Sequence, residues 1–275
     1  MVCRRPRRVS CLVAGALAAL SWVPGAFSAT KTWVANTDFE VEIDGAPAAE
    51  ARLYRAGGRP SLLLLEPSLG SALLLELKQR AVRQVDSSGI EKDADGRHVD
   101  LDDAAVTQIV RPYTMEGGAV VFFWKGHRVQ ITRKPALVGE TTMEALFEHS
   151  PIFREGMAGY TPSEEDVRFL RSFDRPITVD LFFGSWCPHC KATVPKFFKT
   201  LEMVANPNIT LNLTGVPFPP FSRYPPAKEK GVTGVPTFIV YADEKEIGRF
   251  STIPRDSSVE HELAKILEQF RQAHG

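Results

Sequence analysis

The feature that most constrains this chain is a single Cys-x-x-Cys. It closes the run Asp180-Leu181-Phe182-Phe183-Gly184-Ser185-Trp186-Cys187-Pro188-His189-Cys190-Lys191. Residues 177–183 read as a buried strand, and the segment from Pro188 onward reads as a helix, so the two cysteines straddle a helix start. The chain has four cysteines, and the other two, Cys3 and Cys11, lie near its beginning.

A thiolate, not a thiol, attacks a disulfide, and a free cysteine has a pKa of about 8.5. A helix N-terminus offers unpaired N–H groups and the positive end of the macrodipole, both of which favour charge on sulfur. Cys187 is placed to collect them, with His189 two residues on as a further donor or positive charge. Pro188 costs little in a first helical turn, where its missing N–H would have no intrahelical partner. Cys190 follows one turn later, where it can close a short disulfide with Cys187 or resolve a mixed one. A zinc half-site would need two further ligands at workable spacing, and no second Cys-x-x-Cys follows. A purely structural disulfide between residues three apart closes too small a loop to stabilise much. The pair therefore points to redox chemistry, with metal binding the weaker reading.

The beginning of the chain carries an address. Arg4, Arg5, Arg7 and Arg8 precede a short apolar run, Val9 to Val23, and small residues follow near Ala29. This is the layout of a secretory signal peptide over residues 1–29. Export would place the mature thiols in an oxidising compartment, the periplasm. The alternative, an uncleaved anchor, is disfavoured because the run is too short to span a bilayer well. Whole, the chain balances 33 basic against 33 acidic residues; removing the four arginines of the leader leaves 29 against 33, a net charge of about −4. Nothing in that balance suggests a nucleic-acid surface.

About 245 mature residues are enough for two domains. Residues 30–150 read as a smaller, mostly β N-terminal domain of unknown role. Residues 38–45 alternate and then turn, residues 62–65 are a short apolar run, and residues 120–132 read as a hairpin turning near Gly126. The stretch 73–85 fits either a helix face or alternation, and residues 87–96 read as a polar loop. His98, His127 and His149 are isolated and read as surface residues. Residues 151–162, with Pro151, Gly156, Gly159 and Pro162, read as a linker.

From Ser163 the pattern sharpens. Ser163 caps a helix with acids in its first turn. After the cysteines, Val194, Phe197, Phe198, Leu201 and Val204 make an apolar stripe at helical spacing, with Pro195 inside it. Strands follow at 209–213, 235–241 and about 246–253. The last helix opens on a capping box, Ser257-x-x-Glu260.

This order of elements, with Trp186-Cys187-Pro188-His189-Cys190 and Gly234-Val235-Pro236-Thr237, resembles the thioredoxin fold over residues 163–275. The Cys-Pro-His-Cys sequence is similar to that of Dsb-type periplasmic oxidases. The class implied is α/β, a thioredoxin-like domain behind a β domain. The resemblance implies Cys187 and Cys190 as the catalytic pair, tuned by Trp186, Pro188 and His189. It also implies a cis Pro236 lying against the cysteines, with the Val235 backbone pairing to a bound substrate. The chemistry calls for no cofactor and no metal. The partners it implies are cysteine-bearing proteins and a membrane-bound protein that resets the disulfide. Two departures stand out: no large helical insertion separates the active-site helix from the Pro236 loop, and Leu181 stands where family members commonly bury an acid.

The function this supports is an exported thiol:disulfide oxidoreductase, with disulfide donation the favoured direction. An isomerase or reductase kept reduced by a donor stays open, as does a homodimer through the N-terminal domain, in the manner of the Dsb-type isomerases. A metal-binding module using Cys187, Cys190 and His189, and an assembly factor serving one client, stay open as well.

Overall fold

The computed structural model describes residues 30–58 and 60–274. The leader reading falls on residues 1–29, outside the described residues. No helix among the described residues is long and apolar enough to cross a membrane.

Among the described residues the N-terminal half is built of strands, with three short 3-10 turns between them. Its strands are β1 (Thr30–Ala35), β2 (Phe39–Ile43), β3 (Ala46–Pro47), β4 (Arg52–Ala56), β5 (Ser61–Leu65), β6 (Ala72–Glu76) and β7 (Ala81–Val85). They continue as β8 (Ile90–Lys92), β9 (His98–Asp102), β10 (Val106–Pro112), β11 (Thr114–Glu116), β12 (Ala119–Trp124) and β13 (His127–Arg133). One sheet has the order β10-β7-β6-β5-β4-β1-β9-β8, and a second has the order β11-β12-β13-β2-β3.

The leucine-rich runs explain the first sheet. In β5 and β6, Leu62, Leu64, Leu73 and Leu75 face a core shared with Phe122, Trp124, Val129 and Ile131 of the second sheet. The alternate residues Leu63, Leu65, Ala72 and Leu74 face a separate core with Trp33, Tyr54, Val85, Val99 and Leu101. Val85 and Val99 come from near opposite ends of the strand order, so the sheet curls around this second core. A strand covered on both faces has no polar alternation. This is why residues 73–85 read ambiguously; they form the β6–β7 hairpin. Likewise residues 87–96 include strand β8 rather than loop alone. The β12–β13 hairpin turns at Lys125 (φ 48°) and Gly126 (φ 92°), two positive φ values in a row that match the twist of a tight hairpin.

The C-terminal half begins earlier than the sequence suggested. β14 (Gly139–Thr141) pairs antiparallel with β16 (Ile209–Gly215) and so belongs to the third sheet, β14-β16-β15-β17-β18. Here β15 spans Ile177–Phe183, β17 Thr237–Ala242 and β18 Lys245–Phe250. The helices are α1 (Met143–His149), α2 (Ile152–Ala158), α3 (Glu164–Ser172), α4 (Pro188–Val204), α5 (Pro225–Glu229) and α6 (Val259–His274). The expected linker at 151–162 is therefore corrected: most of it is α2, whose Phe153 is fully buried in the main core with Leu146 of α1. Gly156, read as a flexible residue, is a packing residue. A Cβ there would lie 2.9 Å from the Pro195 ring, so its absence lets α2 lie close against α4.

The segment between β16 and the Pro236 loop holds only the five-residue helix α5 and a cis Pro219-Pro220 peptide, with no large insertion. One other expectation changes. The capping box at Ser257 is not formed, because Glu260 turns inward. Its carboxylate accepts from Tyr160 Oη (2.8 Å), Ser163 N (3.0 Å) and Thr200 Oγ1 (3.4 Å), while Ser258 Oγ accepts from His261 N (3.2 Å). A buried carboxylate that gathers this many donors stays satisfied away from water.

In β15, Ile177, Val179, Leu181 and Phe183 enter the main core, and Phe182 enters a smaller core on the opposite face with Val216, Phe221 and Ile239. This strand, covered on both sides, carries the chain into Cys187.

Phe153→Ala should cost about 3–5 kcal/mol of stability by denaturant unfolding, as for other aromatic truncations in a core. A residue in a true linker would cost within about 0.5 kcal/mol.

Candidate active site

β15 ends at Phe183, and after three intervening residues the chain enters α4 with Cys187 as its N-cap, in extended conformation (φ −84°, ψ 122°), and Pro188 in the first turn. Gly184 makes the turn possible by leaving room for the Trp186 indole, which a Cβ would approach to 2.8 Å. Cys187 is 5% exposed and Cys190 0%; both are free thiols. Gly184 N donates to Cys190 Sγ at 3.3 Å. Cys187 Sγ lies 3.5 Å from Val235 O, to which the thiol form donates, and the Val235-Pro236 peptide is cis. The structure thus brings Cys187, Cys190, Val235 and the buried Pro236 together. His189 is exposed on the first turn.

The two thiols, three residues apart, are pushed in opposite directions. Cys187 is pulled down to about 6, chiefly by the hydrogen bond from the Cys190 thiol. The backbone N–H groups of Cys190 and His189 and the charge of His189 add to this, while burial opposes it. Cys190 is pushed far above the ordinary thiol range, first by burial, then by its hydrogen bond to Cys187 and that residue's charge. The Gly184 N–H and the Lys191 charge pull it back only in part. At neutral pH the site holds one nucleophilic sulfur and one protonated sulfur behind it.

Trp186 serves as a wall. Its indole N–H donates to Val216 O (3.2 Å), and its ring stacks on Phe218 at 4.9 Å between centroids. Leu181 is fully buried, while Asp180 faces the opposite side of the sheet. There it meets Asn212 Nδ2 (2.9 Å) and Lys230 Nζ (3.5 Å), so it cannot stand in for an acid beside Cys190. Among the described residues the one three-ligand cluster close enough for a metal is the exposed Asp93, Asp95 and His98. Cys187, Cys190 and His189 do not converge in that way.

Sequence reasoning missed the contribution of the N-terminal half. Asp38, just before β2, pairs with Lys191, the residue after Cys190. The Arg133 guanidinium lies 5.0 Å from the centre of the Phe218 ring, which in turn stacks on Trp186. Leu137 N donates to the buried Ser185 Oγ at 3.0 Å. Nothing in the local sequence pairs Asp38 with a lysine 153 positions away.

Residues 164–265 match the family model described as Thioredoxin. This part of the chain is a thioredoxin domain. No family match covers the N-terminal half, and no curated protein matches the chain. Among solved structures it is similar to a protein of unknown function from Pseudomonas aeruginosa, with 16% identity over 50% of this chain and 94% of that one and a TM-score of 0.38. It is also similar to thioredoxin 1 from Thermosipho africanus (25% identity, 35% and 96% coverage, TM-score 0.26). A third is the Fasciola hepatica thioredoxin (24% identity, 34% and 80% coverage, TM-score 0.26). A thioredoxin domain with two free cysteines at this position suggests thiol–disulfide exchange.

Because the Cys190 thiol is the main cause of the low Cys187 pKa, Cys190→Ala should move Cys187 up from about 6 toward the ordinary thiol value. Thiolate absorbance against pH reads this directly. The sign for stability follows from the lowered value. The Cys187 thiolate stabilises the reduced fold fully above the unfolded-state pKa of about 8.5. That stabilisation is lost as pH falls through about 6.

Proposed function

We propose that the protein is an exported thiol:disulfide oxidoreductase that donates disulfides to cysteine-bearing proteins through Cys187 and Cys190. The observation that carries this reading is Cys187 at the N-cap of α4 with Cys190 fully buried behind it, an arrangement that pushes the two thiols in opposite directions. In the oxidised form a client thiolate attacks Cys187 Sγ, the Cys187–Cys190 bond breaks, and Cys190 takes up a proton. A second client thiolate then attacks the client sulfur of the mixed disulfide, and Cys187 leaves as a thiolate. The client loses two electrons and two protons, and the pair gains the electrons as two reduced sulfurs.

A leaving thiol of low pKa departs faster, and a stabilised thiolate makes the reduced form the favoured product. Cys190, held protonated by burial, attacks the mixed disulfide slowly, which leaves time for the second client thiol. With Leu181 buried in place of an acid, no side chain of that strand takes the Cys190 proton. Both features favour donation over reduction. Export to the periplasm rests on the leader pattern of residues 1–29, and the donor role implies a membrane-bound partner that reoxidises the pair. Val235 and Pro236, beside Cys187, are the surface on which the client would lie.

Equilibrating the pair with glutathione tests the direction. A donor should show a potential less negative than about −200 mV, and a value near about −270 mV would mark a reductase instead. Cys187→Ser should abolish oxidation of a reduced, unfolded protein, while Cys190→Ala, first loaded at Cys187 as its mixed disulfide with glutathione, should release glutathione to a single-cysteine client thiolate and hold that client as a mixed disulfide.

A further inference from the structure

Beside the redox site the β half opens. Thr37, Asp38 and Lys134 of that half line a small depression together with Ser185 and Trp186 of the thioredoxin domain. Thr37 and Lys134 also line the next cavity, of about 520 Å³, so the two adjoin. The floor of the larger cavity includes Phe39, Val41, Ala48 and Leu53, part of the core between the two β sheets reached through an open seam. We infer that this seam is a docking groove for an extended polypeptide, the stretch of a client chain that flanks its reacting cysteine. The inference rests on the exchange reading above and names the part of the substrate that this half would hold.

Three observations specify the occupant. First, the strand edge is open. β3 pairs with only Glu42 and Ile43 of β2, and Ala48 N adds a bond to Val41 O. Among the described residues the Phe39–Glu40 end of that edge carries no strand. An extended chain adds to such an edge through main-chain hydrogen bonds, with alternate side chains entering pockets. Second, the groove has an apolar stretch: Ala48, Ala49 and Ala51 line it beside Phe39, Val41 and Leu53, leaving room for small or branched side chains. Its rim carries charges of both signs, Glu40 and Glu42 against Arg52 and Lys134, which fits a neutral polypeptide better than a phosphate or a nucleic acid. Third, the groove is pinned to the redox site. The Asp38–Lys191 ion pair ties one end to the residue after Cys190, and Arg133 over Phe218 ties it to the aromatic stack on Trp186. A chain that runs from Cys187 past Trp186 toward Lys134 therefore meets this slot.

The test uses the full-length reduced protein and two peptides. Each peptide carries one cysteine as a mixed disulfide with glutathione, flanked on both sides by eight residues, alternating Val and Ala in one and Gly and Ser in the other. Cys187 attacks the peptide disulfide and glutathione or the peptide thiol leaves, so single-turnover rates give an apparent KM for each. The groove predicts a KM at least about tenfold lower for the Val/Ala peptide, the equivalent of partly burying one branched side chain, with the maximal rate unchanged. Ala49→Trp, an exposed substitution that fills the groove, should abolish the difference while leaving turnover of a small aromatic disulfide, which does not reach the groove, unaffected. Ala49→Ser should retain the difference. Equal KM values in the wild-type protein, or a preference that survives Ala49→Trp, would overturn the groove. A wild-type protein that fails to turn over the small disulfide would instead overturn the exchange reading.

Discussion

The site depends on the coupling of two thiols at the start of α4. Cys190 is buried and holds its proton; Cys187, at the N-cap beside the first-turn N–H groups of the helix, is the one that ionises. Each thiol's state is the cause of the other's. Burial is unfavourable for a thiolate on its own, and here it opposes the ionisation of Cys187. The donors at the helix start outweigh it. The covered strand β15, the turn at Gly184 and the cis Val235-Pro236 peptide serve to hold this arrangement in a dry, fixed geometry.

The remaining structure sets what reaches that pair. The thioredoxin domain supplies the strand, the helix and the Val235 carbonyl. The β half supplies a fixed flank: an ion pair onto Lys191, a cation over the Phe218 ring and a seam that opens toward Trp186. The chain's own N-terminal half thus borders one side of the redox site.

Much of this could be read from the sequence where local pattern and tertiary role coincide. The covered strand, the Cys-x-x-Cys, the proline inside α4 and the Gly-Val-Pro-Thr loop lie in short segments whose composition states their role. Legibility failed for physical reasons elsewhere. Leu73 to Val85 lost its alternation because the strands are buried on both faces. Gly156 looked like a linker residue because a glycine needed for close packing and one needed for flexibility are the same letter. Glu260 looked like a cap because its three partners lie on other elements. The Asp38–Lys191 pair is set by topology alone and has no signature in either segment.

The central claim is that the fold makes two neighbouring cysteines chemically different. The most direct test is alkylation of the reduced wild-type protein across pH, with the modified residue identified by mass spectrometry. The account predicts labelling confined to Cys187, rising with a midpoint near 6, while Cys190 stays unmodified until the protein unfolds. Equal labelling of both cysteines, with a shared midpoint near the ordinary thiol value of about 8.5, would contradict it.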